Sequence, residues 1–199
     1  MNKIFLVLLL LLLFHLTQQK IVRRHSETMA EIPHKLDPSV KKFPKLAVFD
    51  LDHTLWPFHV YIDVIPPFKK IGDKVLDAGG AIIKYYRDVP AILKYLKQNN
   101  CLVAAASRTT EMLRAHQLVD LFNWNQHFDH KEIFPGQKTT HFANLKKATG
   151  IEYKDMVFFD DEERNSHDVS PLGVTCIHVK DGMSHSVLHK GLKQWASKN

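Results

Sequence analysis

The stretch KLAVFDLDHTLW, residues 45–56, sets an apolar run from Leu46 to Phe49 directly against two aspartates, Asp50 and Asp52, with only Leu51 between them. A short continuous apolar run is the mark of a strand buried on both faces, as in a parallel sheet. Carboxylates at the end of such a strand are costly unless paired, because a buried, uncompensated charge costs several kcal/mol. On an extended backbone, residues i and i+2 point to the same side. Asp50 and Asp52 therefore face one pocket while Leu51 turns away, and something in that pocket must offset their charge.

Outward from this stretch, the composition is that of a soluble globular domain with an extension: 199 residues, 45% hydrophobic and 24% charged. The excess of 27 Lys/Arg over 21 Asp/Glu is concentrated at the start. Residues 1–45 hold eight of those bases and three of the acids, which leaves nineteen against eighteen in the remainder. A nucleic-acid binder wants a basic stripe on its folded domain, so this nearly neutral remainder argues against that class of partner.

Residues 1–19 begin with Lys3 and an apolar run from Ile4 to Phe14. That length suits a signal-peptide core and falls short of the ~20 residues of a spanning helix. These residues read as a hydrophobic leader, either signal-like or a short anchor, and membrane association is expected only through it. Residues 20–44, polar and basic with Pro33, Pro38 and Pro44, read as a linker, and 45–199 as the globular domain. Cys101 and Cys176 lie in apolar runs and read as free thiols, and there is no Asn-x-Ser/Thr sequon. The thiols and missing sequons favour a cytoplasmic setting; the leader favours the secretory pathway or a membrane.

The globular part alternates strand-like and helix-like segments. Asp88 can cap a helix through Pro90, Ile92, Leu93 and Leu96. Leu102–Ala106 is a second buried strand, and Thr109 or Thr110 can cap a helix carrying Met112, Leu113, Leu118 and Leu121. A short strand falls within residues 127–134, a helix spans Thr139 to Thr149 with Gly150 closing it, and Val157–Phe159 is again a buried strand. A helical turn ends near Gly173, and Val174–Val179 reads as the last strand. This order predicts an α/β sandwich of three layers, with a central, mostly parallel sheet between helices. The long connection from His53 to Tyr86 carries turn cues at Gly72-Asp73 and Gly79-Gly80, the pattern of a small hairpin flap.

In such sheets ligands bind beyond the carboxyl ends of the strands. The residues there form a coherent set: Asp50 and Asp52, then Ser107 and Arg108, then Asp160 and Asp161, with Lys138 opening the helix before the last pair. Crowded carboxylates raise one another's pKa and call for cations. Lys138 supplies one charge, and an all-oxygen ligand set suits Mg²⁺, which takes one or two carboxylates together with water and phosphate oxygens. The chemistry this describes is phosphoryl transfer. Asp50 is placed to attack phosphorus and form an aspartyl-phosphate, and Asp52 to act as acid and then base. Lys138 and Ser107 would steady the phosphoryl oxygens.

The segments FDLDHTLW, ASRT, a lone Lys in PGQK, and FFDD, in this order over residues 44–195, resemble the haloacid dehalogenase (HAD) superfamily of aspartate-nucleophile phosphatases. The resemblance implies a Rossmann-like sandwich without a large cap domain. It implies Asp50 as nucleophile, Asp52 as acid/base, and Ser107, Arg108 and Lys138 around the phosphoryl group. It implies Mg²⁺ on Asp50, Asp160 and the backbone carbonyl of Asp52. Phosphotyrosine proteins and small sugar phosphates are the substrates it suggests; separately, a monomer with no nucleic-acid partner is expected.

Several residues keep two readings. Asp161 could orient a water or Lys138, and Thr54 could hold the loop by local backbone bonds. Asn165 could bond the site or merely shape a turn. Trp56 and Phe58 could wall the pocket or root the insert in the core, and His53 reads as a loop-shaping residue. The rival to an enzyme is a catalytically silent phosphate-binding or interaction module tethered by its leader.

Overall fold

The computed structural model describes residues 42–199. The leader expected over 1–19, and the linker expected over 20–44 apart from its last three residues, lie outside the described residues. Strand β1 (Leu46–Phe49) leads into a small meander of β2 (Lys69–Ile71), β3 (Lys74–Leu76) and β4 (Ile82–Ile83). Helices and strands then alternate: α1 (Val89–Gln98), β5 (Leu102–Ser107), α2 (Met112–Leu121), β6 (His130–Ile133), α3 (Lys138–Thr149), β7 (Met156–Asp160), α4 (Glu163–Val169), β8 (Thr175–His178) and α5 (His185–Ala196).

The main sheet has the order β6-β5-β1-β7-β8, and every pairing in it is parallel. The chain builds outward from β1 through β5 to β6, then returns to the other side of β1 for β7 and β8. Such a reversal of strand order opens a crevice at the carboxyl ends of the central strands, which is where β1 delivers Asp50. Alternating side chains fill the two helical layers. Leu46, Val48, Ala104, Ala106, Met156 and Phe158 pack with Phe142 and Leu145 of α3 and Val169 of α4. The opposite face presents Phe49 and Phe159, stacked at 5.0 Å with planes 10° apart, and α5 lies against it. Among the described residues, no helix is long and apolar enough to cross a membrane.

The expected flap is a three-stranded antiparallel sheet, in the order β2-β3-β4. The two anticipated turns join its strands, with Gly72 at φ +57° and Gly80 at φ +84°, backbone angles that favour glycine. Two expected caps differ from the structure. Asp88 stands before α1 but makes no capping bond. Its carboxylate is taken by the N–H of His185 (3.2 Å) and lies 3.0 Å from that residue's ring, stronger company than an exposed helix end. The residue before α2 is Glu111, not a threonine; the Thr109 hydroxyl accepts the Glu111 N–H at 3.2 Å and shapes the turn instead. Helix α5 lies beyond the last element that the sequence pattern marked.

Gly191 of α5 explains how that helix sits so near the sheet. A Cβ there would fall 2.6 Å from two ring carbons of Phe159 and 3.2 Å from Ile177. Both neighbours are buried in strands and have no room to retreat. Gly191→Ala should gain about 1 kcal/mol of helix propensity yet lose more to overpacking, typically about 1–3 kcal/mol. Urea denaturation should therefore show a less stable protein; a gain in stability would mean that α5 does not press on Phe159.

Candidate active site

The first loop of the site is built from local backbone. The Asp50 N–H donates to the Phe159 carbonyl (2.9 Å), the last rung between β1 and β7. The chain then turns sharply, with the Leu51 carbonyl accepting from Thr54 (3.2 Å), Leu55 (2.8 Å) and Trp56 (3.3 Å) and His53 held at φ +52°. This turn keeps Asp50 and Asp52 on one cavity of about 370 Å³, together with Ser107, Arg108 and Asp161. His59 and Tyr61, from the start of the insert, also line it. Leu51 points away and is fully buried.

Lys138 begins α3 and is completely buried, as is Asp160 at the end of β7. Its ammonium lies 2.5 Å from Asp50 Oδ1 and 3.1 Å from Asp160 Oδ2, and it also donates to the Ala106 carbonyl. Lys138 and Asp160 are therefore not on the cavity wall but beneath it, holding Asp50 from below. Asp160 is further held by the Glu162 N–H (2.8 Å) and by the Asn165 amide, 3.0 Å from each carboxylate oxygen. The Asn165 carbonyl oxygen in turn accepts from Arg108 Nη1 at 3.0 Å. Asn165 is thus a member of the site rather than a turn residue, linking the guanidinium on the cavity to the acid below it.

Asp161 separates from its neighbour as strand alternation requires. It lines the cavity, and it exchanges two bonds with Thr54: the hydroxyl donates to Asp161 Oδ1 (3.2 Å) and accepts from the Asp161 N–H (3.1 Å). The Thr54 carbonyl also accepts from the Met183 N–H at 2.9 Å, so this residue ties three loops together. Ser107 ends β5 with its hydroxyl accepting from the Thr109 N–H at 3.4 Å. Buried His141, whose role the sequence pattern did not mark, lies with ring nitrogens 3.0 Å from the Gln137 carbonyl, 3.1 Å from that of Ser107 and 2.9 Å from that of Phe134. It fastens the loop that brings Lys138 to the end of β5.

Trp56 and Phe58 root the insert. Both are buried, and neither lines the cavity. Cys101 and Cys176 are free, and burial pushes each thiol up to about 12, the opposite of what a cysteine nucleophile needs.

The charge at the centre is not balanced by the protein alone. Burial raises the Asp50 pKa well above the ordinary carboxylate range; Lys138 opposes this and the charge on Asp160 adds to it. Asp161 is likewise raised, first by burial and then by Asp160. For Lys138, burial works against the ammonium, but Asp50 and Asp160 outweigh it and the net shift is upward. Lys138, Arg108 and Arg164 face Asp50, Asp52, Asp160, Asp161 and Glu162 in the cavity and the layer beneath it, which leaves a surplus of negative charge in an all-oxygen setting. That surplus fits a hard dication such as Mg²⁺, which needs only one or two carboxylates.

Known proteins share this chain's sequence and fold. Residues 42–198 match the family model described as acid phosphatase. The chain is 51% identical over 156 residues to human magnesium-dependent phosphatase 1, an alignment that covers 78% of this chain and 89% of that protein. It is 37% identical over 146 residues to a HAD-like hydrolase superfamily protein of Schizosaccharomyces pombe, covering 67% of this chain and 84% of that one. Its fold is similar to a crystal structure of a HAD family enzyme from Bacteroides thetaiotaomicron in complex with magnesium and inorganic phosphate, with a TM-score of 0.55 at 15% identity over 73% of this chain and 98% of that one. With its parallel sheet, its aspartates at the end of β1 and these relatives, the chain belongs to the acid phosphatase family of HAD-like hydrolases.

Proposed function

We infer that this chain is a magnesium-dependent phosphomonoesterase working through an aspartyl-phosphate on Asp50. The observation that carries the reading is the pairing of Asp50 Oδ1 with the buried Lys138 ammonium at 2.5 Å, beneath a cavity that Asp52 shares. Lys138 fixes one oxygen of Asp50 and leaves the other for attack. The name of the human relative supports both the activity and the metal.

In the first step the free Asp50 oxygen bonds to phosphorus and the ester P–O bond breaks; Asp52 gives its proton to the departing oxygen. In the second, Asp52 takes a proton from water, the water oxygen bonds to phosphorus, and the P–O bond to Asp50 breaks to release inorganic phosphate. Burial raises the Asp52 pKa, against bonds from Trp56 and Val60 that lower it, which favours the protonated acid the first step needs. Ser107 and Arg108 donate to the phosphoryl oxygens. Mg²⁺, held by Asp50, Asp160 and the Asp52 carbonyl, would supply positive charge to the same oxygens. Asp161, fixed by Thr54, would orient a water beside that ion. The substrates are phosphotyrosine proteins, small sugar phosphates or both: the cavity suits a small phosphate ester, and half-exposed Tyr61 offers an aryl ring a stacking partner at the rim.

Asp50→Asn should lower turnover by ~10⁴-fold or more and abolish acid-stable labelling of the protein by a phosphate ester, read by mass spectrometry across a panel of phosphotyrosine peptides and sugar phosphates. Retained turnover in this variant would refute the mechanism.

Magnesium affinity should depend on pH with a definite sign. Because burial raises Asp50 and Asp161, protons compete with a dication for them at higher pH than for ordinary carboxylates. Mg²⁺ should bind more weakly as pH falls through the raised carboxylate range, with protons released on binding. Titration calorimetry in buffers of different ionisation enthalpy measures this. Asp160→Asn should weaken binding more than Asp161→Asn, and the reverse order would move the direct ligand to Asp161.

A further inference from the structure

We propose that Trp56 is a positioning residue for the reaction, its indole N–H holding the Asp52 carboxylate in the one orientation from which a proton reaches the leaving oxygen. This rests on Asp52 being the acid of the reading above and deepens it.

A general acid works only when its proton is aimed at the departing atom. Asp52 lies in a loop, partly open to the cavity, and an aspartate there would otherwise sample several rotamers. Two donors prevent it. Trp56 Nε1 donates to Oδ1 at 2.7 Å, and the Val60 N–H donates to Oδ2 at 3.2 Å. One bond on each oxygen fixes the plane of the carboxylate and leaves a further lone pair on each.

Both anchors are buried, and they differ in their surroundings. Val60 leads directly into Tyr61, Ile62 and Asp63, which are exposed. Trp56 is fully buried, stacked with Phe58 (5.5 Å, 8°) and with Trp124 (6.1 Å, 12°), and touched by Phe122 at 6.3 Å. The tight turn over Leu51 brings this ring back to Asp52 only four residues on, where the two residues also form an isolated bridge.

The bland alternative is that Asp52 merely satisfies a buried indole. The same aromatic cluster argues otherwise. Trp124 Nε1 is buried with no hydrogen-bond partner among the described residues, so this packing tolerates an unpaired indole N–H. Filling space needs only a ring; holding Asp52 needs a donor.

The test compares Trp56→Phe with a variant carrying benzothienylalanine at position 56, an isostere with sulfur in place of the N–H. The readout is kcat/KM with Mg²⁺ for phenyl phosphate, whose leaving group is as basic as tyrosine, at about 10, and for 4-nitrophenyl phosphate, whose leaving group needs far less protonation. Asp52→Asn is the reference. Because general acids contribute on the order of 10²–10⁴-fold, both Trp56 variants should lose at least ~10-fold more on phenyl phosphate than on 4-nitrophenyl phosphate. Asp52→Asn should show the same bias more strongly. The isostere preserves volume and stacking, so a folding defect in the Phe variant does not decide the matter. Equal losses on both substrates, or no loss, in the isostere overturn the role of Trp56 while Asp52→Asn keeps its bias. A flat response in Asp52→Asn overturns the acid itself, and the proposal with it.

Discussion

The structure depends on one buried ammonium. Lys138 is enclosed between Asp50 and Asp160 at the carboxyl ends of β1 and β7. Burying an ion pair gains little over an apolar replacement, whereas removing one partner of a buried pair costs ~3–5 kcal/mol because the other charge is left uncompensated. The arrangement therefore makes little sense as a source of stability. With Asp160 carrying bonds from Lys138, Asn165 and the Glu162 N–H, compensation is concentrated on the lower acid. Asp50 is left with Lys138 on one oxygen, an elevated pKa and a face on the cavity. On the proposed reading, a dication would stabilise an acid so placed as an anion, which links the cost of the site to its use.

The fold delivers that geometry through a few cross-links between loops. Parallel strands place their carboxyl ends on one edge, but five loops leave that edge and each must be held. Thr54 binds the first loop to the one after β7 and to Met183. Asn165 joins Arg108, after β5, to Asp160. His141 gathers carbonyls from the end of β5 and from the loop before α3. Each cross-link is a single buried polar side chain facing backbone or carboxylate groups, so the loss of one would disturb two loops at once. Phe49 and Phe159, stacked immediately before Asp50 and Asp160, give the same edge a rigid apolar floor.

How much of this is legible in the sequence follows from the range of each interaction. The buried strands are legible because a parallel sheet demands short apolar runs, and the polar residues ending those runs pick out Asp50, Asp52, Ser107 and Asp160 together. Gly72, Gly80 and Gly150 mark their turns because the backbone requirement is local. Asp88 occupies the expected position before α1, but its carboxylate is claimed by His185, 97 residues further on, which no local pattern reveals. Helix α5 buries Leu188, Gly191, Leu192 and Trp195 at the same spacing as the buried face of α1, and it escapes because one of those positions is a mid-helix glycine, which reads as a breaker until Phe159 is seen against it. Asn165, His141 and Trp56 are ordinary residue types whose meaning lies in partners set by the tertiary fold. The resemblance to the HAD superfamily supplies roles for the motif residues and none for these three.

The most direct test of the central claim is a crystal structure of the protein with Mg²⁺ and beryllium fluoride, a mimic of a phosphoryl group on a carboxylate. The account predicts a trifluoroberyllate bonded to the cavity-facing oxygen of Asp50, Lys138 still against its other side, and a dication that Asp50 and Asp160 both ligate. An adduct on any other residue, or a dication bound away from both acids, would contradict it.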